Sequence, residues 1–172
     1  MSGGNHTSES LDSRPVLLMV ICAHCPFVKH IEPELTRIDH DYGQRVQMVG
    51  VSSNSLITHP QDGAEQLAEQ ARRLGWSFPY LMDQDQTLAR VLRAACTPEF
   101  YLFKGNGSVP QTLQYRGQLD DSRPGNEQPL NGADLRAALE AVLRSAPVNQ
   151  EQIASVGCNV KWHPGREPDW FG

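Results

Sequence analysis

Several features that mark whole protein classes are scarce here, and each shortage excludes something. Cysteine occurs only four times in 172 residues, at positions 22, 25, 96 and 158, too sparsely for a scaffold stapled by disulfides. No apolar run approaches the ~20 residues that a membrane-spanning helix needs; the first, Val16 to Ile21, ends at Cys22. Residues 1–14, MSGGNHTSESLDSR, are polar and lack the basic-then-apolar order of a secretory signal. The 15 Lys and Arg residues are outnumbered by 20 Asp and Glu and are scattered, which leaves no electrostatic footprint for nucleic acid. These absences predict a cytoplasmic protein with neither nucleic acid nor membrane as a partner. On such a chain the glycosylation-like triplets at Asn5 and Asn106 carry no weight. What remains is a chain that is 39% hydrophobic, enough for one domain with a real core.

No internal repeat appears, so elements are read from periodicity. Val16 to Ile21 is continuously apolar, as in a strand buried on both faces of a sheet. Val28, Ile31, Leu35 and Ile38 recur at helical spacing, with Pro33 expected to kink that helix. Val46 to Val51 reads as a second strand. A helix follows with Ala64, Leu67, Ala68, Ala71 and Leu74 on one face and Gly75 as its stop. Phe78 to Asp83 reads as a short extended piece. Leu88, Val91, Leu92 and Ala95 mark a third helix with Asp85 as its cap. Glu99 to Phe103 and Thr112 to Tyr115 flank a glycine-containing turn, a hairpin signal. Asn131 can cap a last helix whose face is Leu135, Ala138, Leu139, Val142 and Leu143. Strand and helix alternate, which implies parallel strands with an antiparallel edge. The class is an α/β sandwich.

Within this frame the stretch MVICAHCPFVKHIEPEL carries chemistry. Cys22 falls at the carboxyl end of a strand and Cys25 in the first turn of a helix, where free N–H groups and the helix dipole stabilise an anion. Two thiols three residues apart can accept or donate two electrons by thiol–disulfide exchange. A zinc site would need four ligands, and one pair with two solitary cysteines does not supply them; two neighbouring core thiols are the remaining alternative. His24, inside the pair, is placed to stabilise a thiolate at Cys22 and so to make the disulfide more oxidising. This reading predicts Cys22 to be the more exposed and more acidic thiol.

The segments ICAHCPFVKHIEPEL, VGVSSNS, FPYLMDQDQTLARV, CTPEFYLF, YRGQLDDSRPGN, NGADLRAALEAVL and VGCNVKW together resemble the peroxiredoxin-like, alkyl hydroperoxide reductase/thiol-specific antioxidant branch of the thioredoxin fold. The resemblance runs from about Val16 to Trp162, and the closing HPGREPDWFG is similar to cyanobacterial members. It implies a three-layer sandwich around a mixed sheet, with outer N-terminal strands shortened. It also implies a redox pair at Cys22 and Cys25 and a cis-proline turn at Thr97-Pro98 facing it, a turn that offers backbone hydrogen bonds to a substrate strand. Cys96 should then lie near the pair, as a third redox thiol or a buried one. Cys158 could fold back to resolve an oxidised site or pair with Cys96. Asp120 and Asp121 are candidates for the carboxylate that thioredoxins keep beneath the pair. In peroxiredoxins a Thr or Ser precedes the peroxidatic Cys-Pro by three residues and an Arg lies near the strand matching Glu99 to Phe103. Cys22 and Thr97-Pro98 occupy those places here, with Arg93 the nearest basic residue upstream.

The expectation is a thiol:disulfide oxidoreductase acting through Cys22 as nucleophile and Cys25 as resolving thiol, without cofactor or metal. Its partners would be protein or small-molecule disulfides and thiols and a cellular thiol reductant, on a monomer or weak homodimer. A thiol peroxidase acting on peroxides and a non-catalytic redox-sensing domain are the alternatives. Residues 1–14 are expected to be loosely ordered, 15–146 to form the domain, and 147–172 to pack on it as a tail pinned by Trp162 and Trp170.

Overall fold

The computed structural model describes residues 12–105 and 112–170. Most of the expected N-terminal segment, most of the hairpin turn and the last two residues lie outside the described residues. A five-stranded sheet has the order β3-β2-β1-β5-β6, built from β1 (Val16–Val20), β2 (Gln47–Ser52), β3 (Tyr80–Met82), β5 (Glu99–Lys104) and β6 (Thr112–Gly117). β1 pairs in parallel with β2, and β2 with β3. The crossovers are α1 (Pro26–Tyr42) and α2 (Ala64–Leu74). On its other edge β1 meets β5 antiparallel, and β5 turns back into β6. The sheet is therefore mixed, with β1 at its centre, and the fold is thioredoxin-like.

Side chains alternate across a strand, and here both faces of β1 find a core. Leu17, Met19 and Ile21 join Phe100 and Leu102 against Val28, Ile31, Leu35 and Ile38 of α1 and Leu135, Ala138 and Leu139 of α4 (Ala133–Leu143). On the opposite face Val20 and Tyr101 pack with Ala89 of α3 (Thr87–Leu92), Ala94 and two residues from the end of the chain, Val160 and Trp162. The C-terminal segment thus supplies part of the second core. Trp162 is buried beneath the Arg90 guanidinium, whereas Trp170 rests edge-on against Trp162 and stays 38% exposed. Only the first of the two rings pins the tail by burial.

Local signals succeed and fail for identifiable reasons. α1 runs through Pro33 as one helix of 17 residues. Gly75 closes α2 in the left-handed conformation, φ +67°, which glycine adopts without steric cost. The cap expected at Asp85 is displaced. Asp85 accepts only the Thr87 amide, whereas Asp83 accepts those of Leu88 and Ala89 at 3.1 and 2.9 Å. Gln86, in the left-handed region at φ 60°, turns the chain so that Asp83 faces the helix start. Asn131 does accept the Ala133 amide at the start of α4, at 3.0 Å. Among the described residues no helix is long and apolar enough to cross a membrane.

Candidate active site

β1 delivers the first cysteine. The Ile21 amide bonds the Val51 carbonyl at 2.9 Å, so the strand alignment persists to the residue before Cys22. The chain then turns through Ala23 and His24 and enters α1 at Pro26, whose missing N–H costs nothing at a helix start. Cys25, held extended at φ −64°, ψ 125°, has the conformation a residue before proline prefers.

A short strand, β4 (Cys96–Thr97), faces this junction and ends in a cis peptide bond between Thr97 and Pro98. Thr97 touches both thiols. Its Oγ1 lies 3.6 Å from Cys22 Sγ, and its carbonyl accepts the Cys25 S–H at 3.3 Å. β4 pairs antiparallel with β7 (Cys158–Asn159), in a register that sets Cys158 opposite Thr97. The Cys158 side chain packs against the core cluster holding both members of the pair and lies close enough to Cys25 for each thiol to shift the other's acidity. Cys96, one residue along β4, instead donates towards the Ser155 and Pro98 carbonyls at 3.6 and 3.7 Å. Three of the four thiols therefore converge, and Cys96 stands beside them with backbone partners.

Burial overturns one expectation. Cys22 and Cys25 are both 0% exposed, and Cys158 is half-buried. Cys22 is enclosed by His24 and Thr97, and Cys158 of the C-terminal segment sits opposite Thr97 beside Cys25. Acidity is also redistributed. The two sulfurs share a hydrogen bond and titrate as one unit, in which that bond holds the Cys25 thiol down at about 4 and raises Cys22. Burial and the Asp62 carboxylate add to the rise at Cys22, while contacts from Thr97, Cys158 and the Val28 amide favour the anion at Cys25. The pair therefore shares one ionisation, tilted towards Cys25 by its partner and opposed by the Thr97 carbonyl, which accepts the Cys25 S–H. Burial pushes the Cys96 thiol up to about 12 and Cys158 up to about 11.

His24 is held by a residue that the sequence did not single out. Asp62, fully buried at the end of the 3₁₀ turn Pro60–Asp62, accepts four hydrogen bonds. Its Oδ1 takes the Ala23 and His24 amides at 2.9 and 3.1 Å, and its Oδ2 takes His24 Nδ1 at 2.5 Å and Asn54 Nδ2 at 2.8 Å. His24 Nδ1 also lies 3.7 Å from Cys22 Sγ. Both contacts use the same ring nitrogen, so the imidazole does not pass a proton between its two nitrogens as in a Cys-His-Asp relay. Cys22, His24 and Asp62 do offer donor atoms within 4.8 Å of one another, as a metal site would. Each Asp62 oxygen already accepts two N–H groups, however, and the cluster works as a cradle for the Cys22–Cys25 turn. Nothing in Pro60-Gln-Asp-Gly63 signals this beyond a turn. The two carboxylates considered from sequence lie elsewhere. Asp120 organises the loop before α4 by accepting the Ser122, Asn131 and Gly132 amides, and exposed Asp121 accepts Gln118.

The one arginine weighed for peroxide chemistry is also engaged away from the pair: the Arg93 guanidinium sits over Trp170, and its carbonyl accepts from Arg116, which pairs with Glu99 at 2.8 Å.

Comparison with known proteins agrees with this architecture. An uncharacterized conserved protein from Geobacillus kaustophilus is 44% identical, with a TM-score of 0.83 over 90% of this chain and 80% of that one. A hypothetical protein from Sinorhizobium meliloti 1021 is 41% identical, with a TM-score of 0.84 over 90% and 82%. A secreted Mycobacterium tuberculosis disulfide oxidoreductase shares the fold at 17% identity, with a TM-score of 0.55 over 77% of this chain and 84% of that one. Among curated proteins there is no match. The AhpC/TSA family profile matches residues 1–112, well over half of the sequence, and the chain belongs to the AhpC/TSA family.

Proposed function

We propose that the protein is a thiol:disulfide oxidoreductase in which Cys22 and Cys25 alternate between dithiol and disulfide. The observation that carries this reading is the placement of two buried thiols at one strand-to-helix turn, with Thr97 touching both. Two adjacent thiols hold the two electrons of the exchange, so no bound cofactor is needed. The acidity of Cys25 reverses the roles expected from sequence: Cys25 holds the thiolate of the reduced pair, and Cys22 closes the disulfide. Substrates are then the thiols and disulfides of proteins or small molecules.

A thiol peroxidase is the second reading, favoured by an acidic cysteine directly before Pro26 in a member of this family. Reduction of oxidised glutathione and consumption of hydrogen peroxide, assayed side by side with each cysteine changed singly to serine, separate the two. Disulfide turnover is expected in the wild type and in Cys96→Ser, and is expected to fall to background in Cys22→Ser and in Cys25→Ser. Faster peroxide consumption that depends on Cys25 alone would establish the peroxidase instead. Oxidation of the pair without turnover of either substrate would leave a redox sensor.

The depressed Cys25 pKa also fixes a direction for redox poise. Stabilising the thiolate stabilises the reduced form, so the disulfide is expected to be more oxidising than that of thioredoxin, at roughly −270 mV. His24, placed from sequence to stabilise a Cys22 thiolate, instead commits its Nδ1 to Asp62 and lies 3.7 Å from Cys22, the thiol of raised pKa, so His24→Gly should leave the potential nearly unchanged. Equilibration against glutathione buffers measures both values. A wild-type potential at or below thioredoxin's counts against the stabilised thiolate, and a large fall in the variant would restore the role expected of His24 from sequence.

A further inference from the structure

The pair that would exchange disulfides has no accessible surface, and the one neighbouring thiol with access to solvent is on the tail. Cys158 is not there by loose packing. The Cys96–Thr97 and Cys158–Asn159 strands form a ladder, the Val160 amide extends it to the Ala95 carbonyl at 3.1 Å, and the Ser155 hydroxyl donates to the Gly117 carbonyl at 2.7 Å on the other side. Between these anchors Gly157 lies directly on the Thr97–Pro98 peptide. A Cβ on residue 157 would fall 2.1 Å from the Thr97 carbonyl oxygen, so only glycine lets the backbone come this close. Thr97, the residue paired with Cys158, is also the one that contacts Cys22 and Cys25.

From this juxtaposition we infer that Cys158 is a third redox-active thiol, which exchanges with the Cys22–Cys25 disulfide and carries it from the buried pair to the surface for thiol-bearing substrates. The inference rests on the reading of Cys22 and Cys25 as a redox pair. In the internal step the Cys158 thiolate attacks Cys25 Sγ, the sulfur of the pair beside it, so access and not leaving-group acidity sets the point of attack. The Cys25–Cys158 bond forms, the Cys22–Cys25 bond breaks, and Cys22 takes up the proton that Cys158 lost, so no electrons enter or leave. A substrate thiolate then attacks Cys158 Sγ, the accessible end of the new disulfide, and Cys25 departs as a thiolate. The thiol of lower pKa is the better leaving group, and Cys25 is lowered where Cys158 is raised. A second substrate thiolate releases Cys158, so two substrate thiols become one disulfide and the protein gains their two electrons. A disulfide-bearing acceptor, oxidised glutathione in the test below, restores the oxidised pair.

Tryptic peptides report each linkage separately, because Cys22 and Cys25 share the peptide ending at Lys29, Cys96 lies on the one ending at Lys104 and Cys158 on the one ending at Lys161. After oxidation with glutathione disulfide, Cys22→Ser is expected to yield the Cys25–Cys158 cross-link, at least tenfold more than any Cys22–Cys158 cross-link in Cys25→Ser. Adding Gly157→Ala to Cys22→Ser should reduce that cross-link tenfold or more. Gly157→Ala alone should still form the Cys22–Cys25 disulfide. Cys158→Ser should also keep that disulfide yet oxidise a thiol substrate at least tenfold more slowly. Unchanged turnover in Cys158→Ser, or a Cys22→Ser protein whose Cys25 ends as a glutathione adduct with Cys158 unlinked, overturns the relay. A wild type that forms no Cys22–Cys25 disulfide overturns the redox-pair reading itself and the relay with it.

Discussion

Asp62→Ala is expected to destabilise the protein by about 3–5 kcal/mol, on the scale of removing one partner from a buried charged cluster. The loss has identifiable parts. The Ala23 and His24 amides lose their acceptor within the turn between the two cysteines, and Asn54 Nδ2 and His24 Nδ1 lose theirs on the other oxygen. The His24 ring is partly exposed and water can reach it, so the four losses do not simply add. Asp62→Asn preserves an acceptor for the two amides but turns an NH₂ group towards His24 and Asn54, and should cost about 1–2 kcal/mol. Urea denaturation of the reduced proteins, with unchanged m values, measures both. A cost below about 1 kcal/mol for the alanine variant would mean that the cradle does not hold the turn.

The stability of the reduced protein should depend on pH in a way that the oxidised protein does not share. Cys25 has its pKa depressed to about 4 in the fold, against the ordinary value of 9.0 for an unperturbed thiol. Between those values the unfolded chain binds a proton that the folded one has released, so stability rises with pH. The contribution of this group is fully present above the unfolded value and is lost as pH falls through the folded one. One proton gives a slope of at most about 1.4 kcal/mol per pH unit. Cys22, shifted upward, acts in the opposite sense above about 9, where the unfolded thiol ionises and the folded one does not. The reduced form should therefore gain stability from pH 5 to 8 and lose it again in alkali. Denaturation midpoints for reduced wild type and Cys25→Ser test this. Parallel pH profiles for the two proteins would refute the assignment of the low pKa to Cys25.

Much of the scaffold was legible because its signals are local. An unbroken apolar strand running into Cys-x-x-Cys and proline defines a strand-to-helix turn without any knowledge of neighbours, and Thr97-Pro98 lies where the resemblance placed it. The carboxylate support was not legible, since Asp62 is separated from His24 by two elements and is embedded in an ordinary turn. Nor was the accessibility of Cys22. Exposure at the end of a strand depends on what packs against it, and Thr97, which touches Cys22, comes from a strand 75 residues along the chain. β7 is only two residues long, shorter than any alternation of apolar and polar positions can reveal. Gly157 is equally silent in sequence, because its requirement comes from the Thr97 carbonyl and not from its own backbone angles.

The central position of β1 has a dynamic counterpart. β1 is paired along its whole length with β2 on one edge and β5 on the other. A strand without a free edge opens only when the sheet does, so its amide protons belong with the last to exchange with solvent. The β4–β7 ladder comprises two residue pairs in a sheet of its own, anchored at either end by Ser155 and Val160, and is expected to open at a lower free energy than the five-stranded sheet. Cys22 is thus fixed to the slow frame of the molecule and Cys158 to its fast edge. The thiol cluster straddles two regions whose local opening free energies differ, and its outer member can separate from the inner two without unfolding them.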